Sequence, residues 1–202
     1  MVAFDLDRDA TLPDTLLQCR KGLEIIRHGI NRALQVEEHY WLVYNATQLV
    51  MDVAKRACNA GQPGEALPLL VYSAVALESN IRLSLPRFLP WRCEVYAAAV
   101  QCYRAAEGSE EALKFLDHGL DVLKDLEELQ KLDPLPCPRE VLDAYAAAKL
   151  SLRTLRFSLT ASSIKTDTDV AVELAKFCST DVEQIRALIG ALQVRTDPAI
   201  SC

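Results

Sequence analysis

Glycine is scarce in this chain, 7 of 202 residues, which leaves little material for loops that cradle phosphates or dinucleotides. GxGxxG, GxxxxGK, GxSxG and HExxH are all missing. Histidine is scarcer: His28, His39 and His118 stand apart, none at metal-ligand spacing with another histidine or a cysteine. There is no basic excess, since 22 Lys and Arg face 28 Asp and Glu for a net charge of -6. That excludes strong, sequence-blind attraction to phosphate backbones and argues against nucleic acid as a partner. The longest dense apolar run, Ala66 to Leu77, has 12 residues, and a bilayer span needs roughly 20. The opening MVAFDLDRDATLPD carries acids where a secretory leader has a basic flank, so no signal peptide is expected and a soluble chain is. No CxxC pair occurs among Cys19, Cys58, Cys93, Cys102, Cys137, Cys178 and Cys202. This odd set reads as reduced, small apolar residues in a cytosolic compartment.

What remains is half apolar and a quarter charged, the balance of an ordinary globular chain. Apolar residues recur three and four apart and alternating β-branched runs are missing, so the periodicity predicts helices throughout and no strand. The first helix is expected from Pro13 to about Val36, with Leu16, Leu23, Ile26, Ile30 and Leu34 on one face. The second carries Tyr40, Trp41, Tyr44, Leu49, Val50, Val53, Ala54, Ala57 and Cys58 and stops at Ala60 to Gly64, where Gly and Pro crowd together. A third covers Glu65 to Ser79. Pro86 and Pro90 make the stretch from Asn80 to Leu89 less regular and bias Leu85 and Leu89 towards extended geometry.

A fourth helix is expected to start between Ser84 and Trp91 and to end at Gly108, a cap at positive φ. Ser109 would cap a fifth, from Glu110 to Leu132. Three prolines then stiffen residues 133–138 into a connector. A sixth helix spans Arg139 to Leu159 with Val141, Leu142, Tyr145, Ala148, Leu152 and Leu155 inward. A short helix to Phe177, a capped helix from Thr180 to about Gly190–Val194, and a frayed tail from Arg195 follow. The expected organisation is a hairpin array over 1–132, a connector over 133–138, and further hairpins over 139–202.

Helices of 15 to 25 residues joined by short turns pack as antiparallel hairpins. Two stretches align: Ala54, Cys58, Gly61, Ala66 and Leu70 with Val100, Tyr103, Gly108, Ala112 and Leu116. A glycine at the turn and an alanine about five residues on resembles the tetratricopeptide pattern, so the expected fold is all-α, antiparallel hairpins stacked as a tetratricopeptide-like solenoid. A compact non-repeating bundle is the alternative. The anchors lie 46 residues apart instead of 34, the second turn reads one residue shorter, and Ser73 and Gly119 stand where a second alanine is usual.

No residues combine into a catalytic centre. Asp117 and His118 are adjacent on a helix and point about 100° apart. Cys102 or Cys178 would need an activating base, and only Arg104 flanks them suitably, so an apolar helix face is the expected home. Asn45-Ala46-Thr47 is a formal glycosylation acceptor inside a helix and is discounted. The acidic run Asp121 to Glu128 reads as a solvated face. Arg82, Arg87 and Arg92 recur every five residues around Trp91, forming a candidate cationic, aromatic partner-binding patch. The competing reading is a solvated rim with Trp91 packed between hairpins.

The stretch from Glu65 to Tyr103 carries Ala66-Leu67-Pro68, Glu78-Ser79, Arg87, Leu89, Trp91-Arg92, Tyr96 and Gln101-Cys102-Tyr103. With these features it resembles the helical-repeat region of the cilia- and flagella-associated protein 54 family, very large proteins of a projection on the central-pair microtubules of motile axonemes. The resemblance covers about a fifth of the chain. It implies a non-enzymatic scaffold without cofactors, metal, membrane or small-molecule substrate, with partners among central-apparatus proteins and an indirect link to microtubules. Such proteins run to thousands of residues, so the chain would be a fragment or a short relative. The competing function is a general cytosolic adaptor holding an extended peptide in a concave groove. Such a groove should present Lys, Arg or Asn from the first helix of each repeat, whereas these faces carry Ala, Val, Tyr and Cys.

Overall fold

The computed structural model describes residues 12–132 and 136–161. Among them the chain is all-α: six helices, three short 3-10 turns and no strand. The order is α1 (Leu12–Ala33), a turn at Glu37–His39, α2 (Tyr40–Asn59), α3 (Pro63–Glu78), turns at Ile81–Ser84 and Pro86–Phe88, α4 (Leu89–Ala105), α5 (Ser109–Lys131) and α6 (Arg139–Ala161). The helices expected beyond Thr160 lie outside the described residues, as does part of the proline-rich connector. Two compact units divide at Leu83 and Ser84.

In the first unit α2 packs against both α1 and α3. Its core is Leu23, Ile30 and Ala33 of α1, Val43, Val50 and Ala54 of α2, and Ala66, Leu70 and Leu77 of α3; of the face expected on α1, Leu23 and Ile30 are buried, whereas Ile26 and Leu34 are half-buried. Burying each of the larger side chains is worth about 1.5–3 kcal/mol. Polar ties supplement this apolar packing. Tyr72 donates to Asn31 Oδ1 at 2.7 Å, joining α3 to α1. The Arg27 guanidinium lies 5.7 Å from the centre of the same ring.

In the second unit α4, α5 and α6 pack mutually, so the segment after Leu132 joins two helices of one unit. Lys149 donates to both oxygens of Glu127 at 2.8 Å, and Arg156 Nε donates to Asp117 Oδ1 at 2.7 Å. The later α6 residue pairs with the earlier α5 residue, which makes the two helices antiparallel. Tyr145, Ala148 and Leu152 face inward as expected; Leu142, expected inside, is half exposed because it sits in the first turn of α6, at the open end of the packing.

Two local expectations are corrected by geometry. Leu85 before Pro86 is extended (φ -62°, ψ 146°), but Leu89 before Pro90 is helical (φ -57°, ψ -41°). Pro90 stands in the first turn of α4, where a missing N–H costs no helical bond. The left-handed residue after α4 is Glu107 (φ 59°), not Gly108. Gly108 has φ -89° and is itself the residue that precedes α5, so Ser109 lies one position inside that helix and makes no capping bond.

This correction brings the two hairpins into one register. After α2, Gln62 N–H donates to Ala57 O and Gly61 N–H to Cys58 O, both at 2.9 Å. After α4, Gly108 N–H donates to Tyr103 O at 2.9 Å and Glu107 N–H to Arg104 O at 3.1 Å. Both are Schellman turns, with Gly61 (φ 72°) and Glu107 as the left-handed residues. The second turn is therefore not shorter. An offset of 46 residues carries Val50 to Tyr96, Ala54 to Val100, Gly61 to Glu107, Ala66 to Ala112, Leu70 to Leu116 and Ser73 to Gly119. Apart from the turn residues, every member of these pairs is buried.

Candidate partner-binding surface

The four residues singled out in the sequence fall into different settings. Arg82 belongs to the first unit, on the turn after α3. Asn80 sets that turn: its Oδ1 accepts from the Arg82 N–H at 3.0 Å, and its Nδ2 donates to Glu37 O at 3.5 Å. Arg82 Nε then reaches Glu37 Oε1 at 3.3 Å, and the guanidinium lies 5.7 Å from the Tyr40 ring centre. Both members of the ion pair are about half exposed, so it adds little stability and orients the arginine.

Arg87, Trp91 and Arg92 belong to the second unit. The 3-10 turn Pro86–Phe88 places Arg87 outward with its guanidinium 4.6 Å from the Phe88 ring centre, and Leu85 beside it is exposed. Trp91 is half-buried in the first turn of α4. Arg92 is only 4% exposed. It lines a small, largely apolar crevice with Leu89, Cys93, Tyr96, Gly119, Leu123 and Leu152. The burial comes from α5 and α6 closing over α4, which spacing along one helix does not encode. Arg92 is therefore part of the packing inside the unit, and the outward cationic and aromatic groups of this stretch are Arg87 with Phe88 and Trp91.

Electrostatics around Arg92 are those of a sealed core. Burial pushes the Cys93 thiol up to about 11, against the opposing pull of Arg92, so the thiol is protonated at neutral pH and its Sγ lies 3.8 Å from Ala148 O. Burial likewise raises the Tyr145 phenol, with Arg92 pulling it down. Cys102 is buried, Cys58 and Cys137 are half-buried, and none of these four described cysteines is in a disulfide. Cys178 lies outside the described residues. Asp117 is engaged by Arg156 and His118 is exposed. Thr47 of the glycosylation-like triplet is buried and donates to Tyr44 O at 2.7 Å. Among the described residues no cluster of three metal-ligating side chains occurs and no helix is long and apolar enough to cross a membrane.

Sequence reasoning missed a different surface. Trp41, Leu42 and Leu49 of α2 are 52%, 40% and 53% exposed. The seven-residue spacing of the two leucines was available as a signal, but an apolar residue on a helix reads first as core.

The geometry defines a class: an all-α protein of helical hairpins with packed apolar cores. The chain belongs to the family described as cilia- and flagella-associated protein 54, whose sequence model matches residues 1–163. It is 37% identical over 163 residues to the Chlamydomonas reinhardtii protein of that name, covering 81% of this chain. The human and mouse proteins of the same name are 23% and 26% identical over 153 residues, covering 76% and 75% of the chain. The likeness thus extends well beyond Glu65 to Tyr103. The chain spans 5% of the length of each of these relatives.

Proposed function

We propose that the chain is a non-enzymatic scaffold segment of the motile-cilium axoneme, helping to assemble a central-pair microtubule projection through protein–protein contacts. The observation that carries this reading is the family match across residues 1–163, since its relatives are named as cilia- and flagella-associated proteins. The hairpins, which share a 46-residue register, would supply helix surfaces for neighbouring central-apparatus proteins. Microtubules would be linked through those neighbours. Arg82, Arg87 and Trp91 are the proposed contact residues, with Arg92 supporting their stretch from inside the second unit.

The test is to tag the protein in ciliated cells and ask whether it sediments with demembranated axonemes and disappears together with a central-pair projection in strains that lack one. Even distribution in the soluble fraction would refute the reading. A double Arg82→Ala, Arg87→Ala variant that folds normally but fails to sediment would assign binding to those arginines; normal sedimentation would remove them.

A further inference from the structure

We propose that the helix expected from Thr180 to about Gly190–Val194, which lies outside the described residues, docks back along α6 over Leu142 and Ala146 and closes a third hairpin of this chain. The 46-residue register carries Val50 to Tyr96 to Leu142, and Ala54 to Val100 to Ala146. On α2 and α4 all four of these residues are 1–3% exposed. On α6, Leu142 is 49% exposed and Ala146 is exposed, so the line that is sealed twice stands open the third time. What seals it on α4 is visible: Tyr96 stacks on Phe115 and lies over Gly119, both of α5, the next helix in the chain. α3 packs on α2 in the same order.

Chain length selects the segment. α6 stays helical past Arg153, the position equivalent to the left-handed Gly61 and Glu107, and ends at Ala161, so a covering helix starts beyond it. Leu142 lies 19 residues before that end, about 28 Å at 1.5 Å per residue. The short helix expected up to Phe177 would run only about 16 Å from residue 167 and stop short of Leu142. Antiparallel reflection about the polar residues 162–166 sets residue 186 opposite Leu142, one position from Ile185. Val182, Ile185, Ile189 and Leu192 recur at helical spacing and supply the apolar stripe that such a contact needs. The sealing helix of both described hairpins is the one that follows in the same chain, and this selects the chain's own segment over another polypeptide. The α6 face is then withdrawn from the surfaces open to neighbouring proteins, whatever assembly holds the chain.

The experiment builds the photo-cross-linker p-benzoylphenylalanine into position 142 of the full-length protein, and mass spectrometry maps the adduct after irradiation. The expected adduct stays within one chain and falls between residues 180 and 194. A second measurement does not depend on the bulky probe. Leu142→Ala and Ile185→Ala should each lower the melting temperature by about 2–4 °C, and the double variant by clearly less than the two shifts together, as residues in contact do. The proposal is overturned by an adduct elsewhere in the chain, by one to a second copy, by no adduct, or by additive shifts in the double variant. None of these outcomes bears on the axonemal reading, which stands or falls by sedimentation with axonemes.

Discussion

Tyr96 presses on Gly119 so closely that a methyl group at position 119 would stand 2.7 Å from Cε1 and 2.8 Å from Cζ of the ring. The same ring stacks on Phe115, one turn earlier on α5, with centroids 4.4 Å apart. This explains a departure from the tetratricopeptide pattern, because the position that usually holds alanine lies beneath a tyrosine. In the first hairpin the equivalent pair is Val50 and Ser73. The larger residue on one helix accompanies the smaller on the other.

Gly119→Ala should therefore destabilise the protein by about 1–3 kcal/mol through overpacking, outweighing the roughly 1 kcal/mol that alanine gains in helix propensity. Tyr96→Val in the same chain should recover part of that loss, since it recreates the first hairpin's pairing. Urea melts of both single variants and the double give the coupling. Additive effects would show that the ring and the glycine do not constrain each other.

At the equivalent position of α3 the expected sign is opposite. The Ser73 hydroxyl is buried and finds no hydrogen-bond partner among the described residues. Leaving such a group unsatisfied costs about 1–3 kcal/mol, so Ser73→Ala should stabilise the chain by about 1 kcal/mol or slightly more. A melting temperature lower than that of the parent would contradict this.

The helix order was legible because Gly, Pro and polar clusters separate long runs with period near 3.6, as at Ala60 to Gly64; α3 and α5 begin and end within two residues of the expected positions, while α4 stops at Ala105, three residues before Gly108. The family was legible from one run around Trp91. The site was less so. Arg82 pairs with Glu37 from 45 positions away, and Arg92 is enclosed by helices that come later in the chain. Both settings arise from tertiary packing, and arginine spacing carries no trace of it. The turn after α4 was misread for a local reason: a glycine sits one residue past the left-handed position, and glutamate occupies it.

Glu107 at φ 59° bears the steric strain of a side chain in left-handed geometry. Glu107→Gly should relieve it, raising stability by about 0.5–1 kcal/mol despite the greater freedom glycine gives the unfolded chain. Gly61→Ala at the equivalent turn should cost about 1 kcal/mol by the converse argument. Thermal melts at neutral pH compare the two, and the same sign for both would refute the equivalence of the turns.

The buried thiol makes alkaline stability the last expectation. Cys93 is raised from an ordinary value of 9.0 to about 11, with burial as the main cause. Below pH 9 the thiol is protonated in the folded and unfolded chains alike, and its contribution is fully present. Between pH 9 and 11 the unfolded thiol releases its proton while the folded one holds it, so unfolding is favoured progressively as the pH rises. A shift of this size corresponds to a loss of about 2–3 kcal/mol across that window. Tyr145, also raised by burial, acts in the same direction. Cys93→Ala removes the thiol's share, so denaturant melts from pH 8 to 11 should fall more steeply for the parent than for the variant. Parallel curves would mean that Cys93 ionises in the folded chain as readily as in water, and that the α4–α6 contact beside Ala148 is open to solvent.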